Sequence, residues 1–188
     1  MNELKKDVSK ILVEENEIKE ICKRLGQQIS KDYAGKKPLV VGVLKGSVVF
    51  MADLIRNITC DCEIDFMAVS SYNGTKSSGT VTFKKDLDID IEGKDIIIAE
   101  DILDTGITLS KIKEVLLHRN AASVKICTFL DKPQNRKSDI SADYVGKVIP
   151  DEFVIGYGLD YNEKYRNLPF VGVLSLRFML TNRKGANP

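Results

Sequence analysis

Ile96-Ile97-Ile98-Ala99-Glu100-Asp101-Ile102-Leu103-Asp104-Thr105-Gly106-Ile107-Thr108-Leu109 joins an apolar run to three carboxylates and then to a Thr-Gly-x-Thr turn. The apolar run reads as a strand buried on both faces, as in parallel sheets covered by helices. The turn predicts a helix start, where unpaired N–H groups, a positive dipole end and nearby hydroxyls form a phosphate cradle. Acids beside an anion site repel a bare phosphate. They suit a ligand that presents hydroxyls and metal ions next to its phosphate, as a ribose 5-phosphate does.

On either side of this stretch strands and helices alternate. Residues 10–13 predict a short strand, and Ile18, Ile21, Leu25 and Ile29 recur at helical spacing until about residue 34. Leu39–Leu44 reads as a buried strand, Val48–Arg56 as a helix and Ile64–Val69 as a strand. Ser70–Gly79 is polar and glycine-rich and predicts a mobile loop, with Thr80–Lys84 returning antiparallel. Asp95–Ala99 is the central strand, followed by a helix over Thr108–Arg119 and a strand over Val124–Leu130. Short strands near Tyr144–Val148, Phe153–Tyr157 and Phe170–Leu174 follow, and with the N-terminal segment they predict a small cap drawn from about residues 143–174. The expected fold class is α/β: a mainly parallel central sheet flanked by helices, in a single domain over residues 1–188. Ligands of such sheets bind at the carboxyl ends of the strands, here Lys45–Ser47, Glu100–Thr108 and Asp131–Arg136.

Composition narrows the partners. A formal net charge of +1 gives no general field toward nucleic acid or an anionic membrane, so any anion needs a local site. No apolar run spans a bilayer and the first residues carry charges, which predicts a cytoplasmic protein without membrane partners. Cys60 and Cys62 stand two apart in a strand-like run with too few further ligands for zinc, so they and Cys22 and Cys127 read as reduced thiols. His118 is the only histidine and sits late in a predicted helix, which argues against a catalytic triad. There is no G-x-x-x-x-G-K-[ST] and no G-x-S-x-G, and Gly156-Tyr157-Gly158 lacks a third glycine.

Residues 96–106 resemble the signature of type I phosphoribosyltransferases. Leu44-Lys45-Gly46-Ser47, Ser71-Tyr72, Leu130-Asp131-Lys132-Pro133 and the long string Phe153–Leu168 are similar to the hypoxanthine(-guanine) branch, in order and spacing, over roughly residues 10–174. The resemblance implies the type I phosphoribosyltransferase fold and transfer of a 5-phosphoribosyl group from 5-phospho-α-D-ribose 1-diphosphate to hypoxanthine or guanine. Magnesium (Mg2+) and a homodimer or homotetramer are implied with it.

It also implies roles. Asp104, Thr105, Gly106, Ile107 and Thr108 would hold the 5-phosphate, with Asp104 also transferring the purine proton. Glu100 and Asp101 would turn together toward the ribose hydroxyls and, with Asp160, toward the metal. Lys45, Gly46, Ser71, Tyr72 and Arg166 would take pyrophosphate, with a cis Leu44–Lys45 peptide. Lys132, Phe153, Val154 and Asp160 would take the purine, through the 6-oxo group, stacking and backbone contacts. The loop Ser70–Gly79 would close as a lid. Position 107 is Ile where some relatives carry a basic residue, and Ser175-Leu176-Arg177-Phe178 replaces a usual Lys-Pro-Glu ending. Three rivals stay open: an enzyme acting on xanthine or adenine, an RNA-binding regulator of the same fold, and a nonenzymatic nucleotide-binding module.

Overall fold

The computed structural model describes residues 5–71 and 81–175. Six strands form the main sheet in the order β4-β3-β2-β5-β6-β7: β2 Leu39–Leu44, β3 Glu63–Ser71, β4 Val81–Lys85, β5 Asp95–Leu103, β6 Ser123–Asp131 and β7 Tyr144–Val148. Every neighbouring pair is parallel except β3–β4, which is antiparallel, as expected for the segments flanking residues 72–80. Helices α1 Glu15–Asp32 and α2 Val48–Ile55 cover one face and α3 Ile107–His118 the other.

Alternation along β5 explains why its sequence reads as solidly apolar. Ile97 and Ala99 enter the core under α1 and α2, while Ile96 and Ile98 enter the core under α3. A strand with helices on both faces has no solvent side on which to place polar residues.

The second sheet is small and antiparallel, in the order β1-β9-β8, from Val8–Val13, Val171–Leu174 and Val154–Ile155. It gathers the two ends of the described chain into the cap. One part of the expected cap moves: Tyr144–Val148 is the edge strand of the main sheet, paired parallel with β6. Short strands separated by loops carry no mark of the sheet they join, and the fully buried Tyr144 anchors this one in the main core. Cys60 and Cys62 precede β3 rather than lie within a strand, half-buried, while Cys22 and Cys127 are buried. Among the described residues no His/Cys/Asp/Glu group could hold a metal by itself, and no helix is long and apolar enough to cross a membrane.

Asp65 shows how a buried acid fixes a loop. Its carboxylate accepts from the N–H groups of Phe66 (2.7 Å), Asp88 (2.7 Å) and Ile89 (3.1 Å), with Lys85 Nζ 3.6 Å away. Burial alone would raise its pKa; the three N–H groups and Lys85 outweigh it and hold the group below the ordinary carboxylate value. A depressed folded pKa contributes stability above the unfolded value and loses it as pH falls through the folded one. Asp65→Asn turns an amide donor toward these donors and is expected to cost about 1–3 kcal/mol at neutral pH. Urea unfolding should show that difference shrinking as pH drops below about 4.

Candidate functional site

The topological switch lies between β2, whose crossover leads outward to β3, and β5, whose crossover leads the other way to β6. Beyond their carboxyl ends the three expected loops meet. Lys132 N–H donates to the Leu103 carbonyl (3.0 Å), and Gly46 lies against the Asp101 carboxylate so closely that a Cβ on it would overlap that group.

The turn after β5 leads straight into a helix N-terminus beside a cavity. Gly106 caps α3 in a left-handed conformation (φ 76°) with no side-chain cap bond, and the first helical N–H groups have no intrahelical partner. Helix α3 starts at Ile107, one residue before the expected Thr108, and its first turn carries no acid that would compete for those N–H groups. The Asp104 and Thr105 carbonyls are already taken: Arg136 donates to Asp104, and Lys137 N–H donates to Thr105 (2.9 Å). Arg136 also binds the Leu103 carbonyl (3.0 Å) and pairs with Asp131. Sequence inspection reached the loop holding Arg136 but not its task, because a lone arginine in a polar crossing has no distinguishing pattern.

Glu100 and Asp101 are both present but diverge. The central strand runs to Leu103, four residues beyond the expected end at Ala99, and its alternation slips on the way: Ile102 packs on the core that holds Ala99, and Leu103 on the one that holds Ile98. Glu100 shares a cavity of about 140 Å³ with Asp104, Thr105, Gly106 and Thr108, whereas Asp101 packs on the Gly46 side. Burial, then the neighbouring Asp101, raises Glu100 well above the ordinary carboxylate range. Burial pushes Asp101 up to about 6, against the N–H groups of Ile102 and of Asp101 itself and the charge of Arg166. Among the described residues Glu100 Oε2 and Asp104 Oδ1 are buried without a hydrogen-bond partner. Such orphaned acceptors fit ligand hydroxyls, protons or a hard cation.

The Leu44–Lys45 peptide is cis, as the resemblance implied. Ser47 Oγ donates to the Val43 carbonyl (2.7 Å), closing the loop onto β2. Across from it, Arg166 donates to the Gly158 carbonyl (2.7 Å) and pairs with Asp160 (2.8 Å), and Gly158 (φ 97°) rests on the Gly46 carbonyl. Lys45 pairs with Glu163 at 3.1 Å. Beneath, the Tyr157 hydroxyl donates to Asp53 of α2 (2.8 Å) and meets Cys22 Sγ (3.4 Å), tying the cap loop to the helix that follows Lys45-Gly46-Ser47.

Lys132, Phe153 and Val154, the residues expected to take the purine, lie just past the carboxyl end of β6 and at the start of β8. Lys132 is 6% exposed and donates to the Glu152 carbonyl at 2.6 Å. Phe153 is 46% exposed, with its ring edge-on to Tyr161 at 5.8 Å. Leu174 N–H donates to the Phe153 carbonyl, and Val154 lies opposite Val173 in the next pair. Antiparallel alternation therefore turns the N–H and C=O of Val154 away from β9, off the sheet edge. The backbone of Ser71 ends β3; Tyr72, the expected lid through Gly79 and the atypical ending after Ser175 lie outside the described residues.

A phosphoribosyl transferase domain model matches residues 9–162. Hypoxanthine-guanine phosphoribosyltransferases of Streptococcus thermophilus and Staphylococcus aureus are 57% identical over 172 and 169 residues, covering 91% and 89% of this chain and 96% and 94% of theirs. A solved hypoxanthine phosphoribosyltransferase from Staphylococcus aureus superposes with a TM-score of 0.90 at 55% identity, covering 93% of this chain and 96% of that one. Together with the cradle after β5 and the crevice at the switch point, these likenesses establish that the chain belongs to the phosphoribosyl transferase family, within its hypoxanthine-guanine branch.

Proposed function

We propose that the chain transfers the 5-phosphoribosyl group of 5-phospho-α-D-ribose 1-diphosphate to N9 of hypoxanthine or guanine, releasing IMP or GMP and pyrophosphate in purine salvage. The observation that supports this reading is that the loops carrying these residues converge on the end of β5: Lys132 N–H bonds the Leu103 carbonyl, Gly46 lies against Asp101, and Gly158, held by Arg166, rests on Gly46. Thr105, Gly106, Ile107 and Thr108 bind the 5-phosphate through N–H groups and hydroxyls. Glu100 accepts from the ribose hydroxyls, and Lys45, Gly46 and Arg166 hold the diphosphate; Ser71 and Tyr72 are assigned to it by resemblance. The bond from C1 to the diphosphate oxygen breaks as N9 attacks, and Asp104 accepts the proton the purine sheds at N7.

Magnesium fits the donor set. Asp101 and Asp160, on the Gly46 side, are hard oxygen donors, Glu100 lies apart in the cavity of the Asp104–Thr108 turn, and no three such groups gather among the described residues, so Mg2+ would be held by one or two carboxylates and completed by substrate phosphates. When bound, it supplies charge neutralisation to the leaving diphosphate. The protein's own part is to position both substrates and screen them from water.

Base choice follows from Lys132. One of its three donors is spent on the Glu152 carbonyl, leaving donors for a 6-oxo group and none that can accept from a 6-amino group. Turnover is expected with hypoxanthine and guanine, and at least about 100-fold lower kcat/KM with adenine. An assay of the four purine bases with the phosphoribosyl donor tests it; adenine used as well as hypoxanthine sinks the assignment, and RNA binding without transfer favours the regulator. A cytoplasmic homodimer or homotetramer, without nucleic-acid or membrane partners, completes the proposal, and light scattering tests the assembly.

A further inference from the structure

The tight turn Tyr161-Asn162-Glu163-Lys164 closes on reciprocal backbone hydrogen bonds of 3.2 and 3.1 Å between its end residues. Both central residues are left-handed, Asn162 at φ 51° and Glu163 at φ 61°, the type I′ geometry. Asn suits that conformation and Gly is the usual second residue; a long acidic side chain there is not what the backbone prefers. A residue held against its backbone preference invites a question about what its side chain does.

Here it reaches the crevice. Glu163 Oε2 is 3.1 Å from Lys45 Nζ, and Oε1 is 3.5 Å from Arg166 Nη2. The Glu163 N–H donates to Asp160 Oδ2 (2.8 Å), and Asp160 Oδ1 holds Arg166 from the other side. One carboxylate thus touches both cations assigned above to the diphosphate, Lys45 lying 118 residues from it in the chain and Arg166 one turn away.

We propose that Glu163 is an internal competitor for the diphosphate group, occupying Lys45 and Arg166 in the free protein and giving way when diphosphate arrives. The proposal rests on the assignment of those two cations to pyrophosphate. Lys45 and Glu163 are both largely exposed, so their pair is weak and readily exchanged. Diphosphate displaces it because it offers more charge and more acceptor oxygens than one carboxylate; a singly charged anion does not. The same competition shortens the residence of product pyrophosphate, since the cations have another partner to return to.

Titration of magnesium pyrophosphate into the full-length parent, E163Q and E163G tests this by calorimetry, with pyrophosphate product inhibition measured alongside. Glutamine keeps the size without the charge, and glycine keeps the left-handed turn without the side chain. Both variants are expected to bind pyrophosphate about three- to tenfold more tightly, the scale set by losing one or two exposed pairs, with KM for hypoxanthine unchanged. Unchanged affinity overturns the proposal and leaves an ordinary surface pair; weaker affinity overturns it too, making Glu163 a support for Lys45. Lys45→Ala and Arg166→Ala separate the two levels: if neither weakens pyrophosphate in the parent, the subsite assignment itself fails and the proposal falls with it.

Discussion

Asp104→Asn is expected to lower kcat by about 10²–10⁴-fold, roughly 3–5 kcal/mol in barrier height, with the affinity for phosphoribosyl diphosphate kept within a few-fold. The backbone around Asp104 is held independently of its side chain, by Arg136 on the Leu103 and Asp104 carbonyls and by Lys137 on the Thr105 carbonyl. The amide therefore leaves the cradle standing. Within the carboxylate, Oδ1 is buried and makes no hydrogen bond among the described residues, so no such bond need be broken before it accepts a proton. An amide of the same size cannot accept that proton near neutral pH. Removing one negative charge beside a polyanion should, if anything, tighten donor binding slightly. Pre-steady-state transfer with guanine separates this chemical loss from slow product release. An unchanged single-turnover rate reduces Asp104 to a turn residue and passes proton transfer to water or to Glu100.

The parts legible in the sequence are those whose signal is local. The β5 run, the Thr-Gly-x-Thr turn and the alternation of strand and helix each carry their cause within a dozen residues, and their boundaries fall within a few residues of those observed. Partnership is not local. Nothing in Tyr144–Val148 says that it pairs with β6 rather than with the cap, because a five-residue strand fits either sheet. Glu100 and Asp101 are expected to turn together because the apolar run stops at Ala99; the strand instead runs on to Leu103, with Glu100 lining the cavity of the Asp104–Thr108 turn and Asp101 lying against Gly46. Residues acting through tertiary contact were missed for the same reason. Arg136, Glu163 and the Tyr157–Asp53 pair are ordinary polar residues until the fold brings their partners to them. Glu163, like Tyr157 and Tyr165, is left-handed against its local propensity, so nothing in the sequence announces its conformation.

Gly46→Ala should show that the crevice is positioned by close contact as well as by charge. A methyl at this position overlaps the Asp101 carboxylate, and that carboxylate has little room to yield. Asp101 is buried, and its Oδ1 accepts the Ile102 N–H at 2.8 Å. The loop itself cannot retreat freely either, because the Gly46 carbonyl rests against Gly158, whose own carbonyl is held by Arg166. The added carbon must therefore shift the Lys45–Gly46 backbone or the cap loop, and a displacement of about 1 Å in a positioning element costs on the order of 10²-fold in rate. The expected result is a fall of about 100-fold or more in kcat/KM for phosphoribosyl diphosphate, with overpacking lowering stability by only about 1–3 kcal/mol. Binding of IMP is the internal control. Under the proposed assignment it engages the Asp104–Thr108 turn and Lys132 but has no diphosphate group, and its binding should stay within a few-fold of the parent. Equal losses for IMP and for the diphosphate donor would mean that the methyl disturbs the whole crevice through Asp101, and the separate pyrophosphate half inferred from Lys45, Gly46 and Arg166 would have to be abandoned.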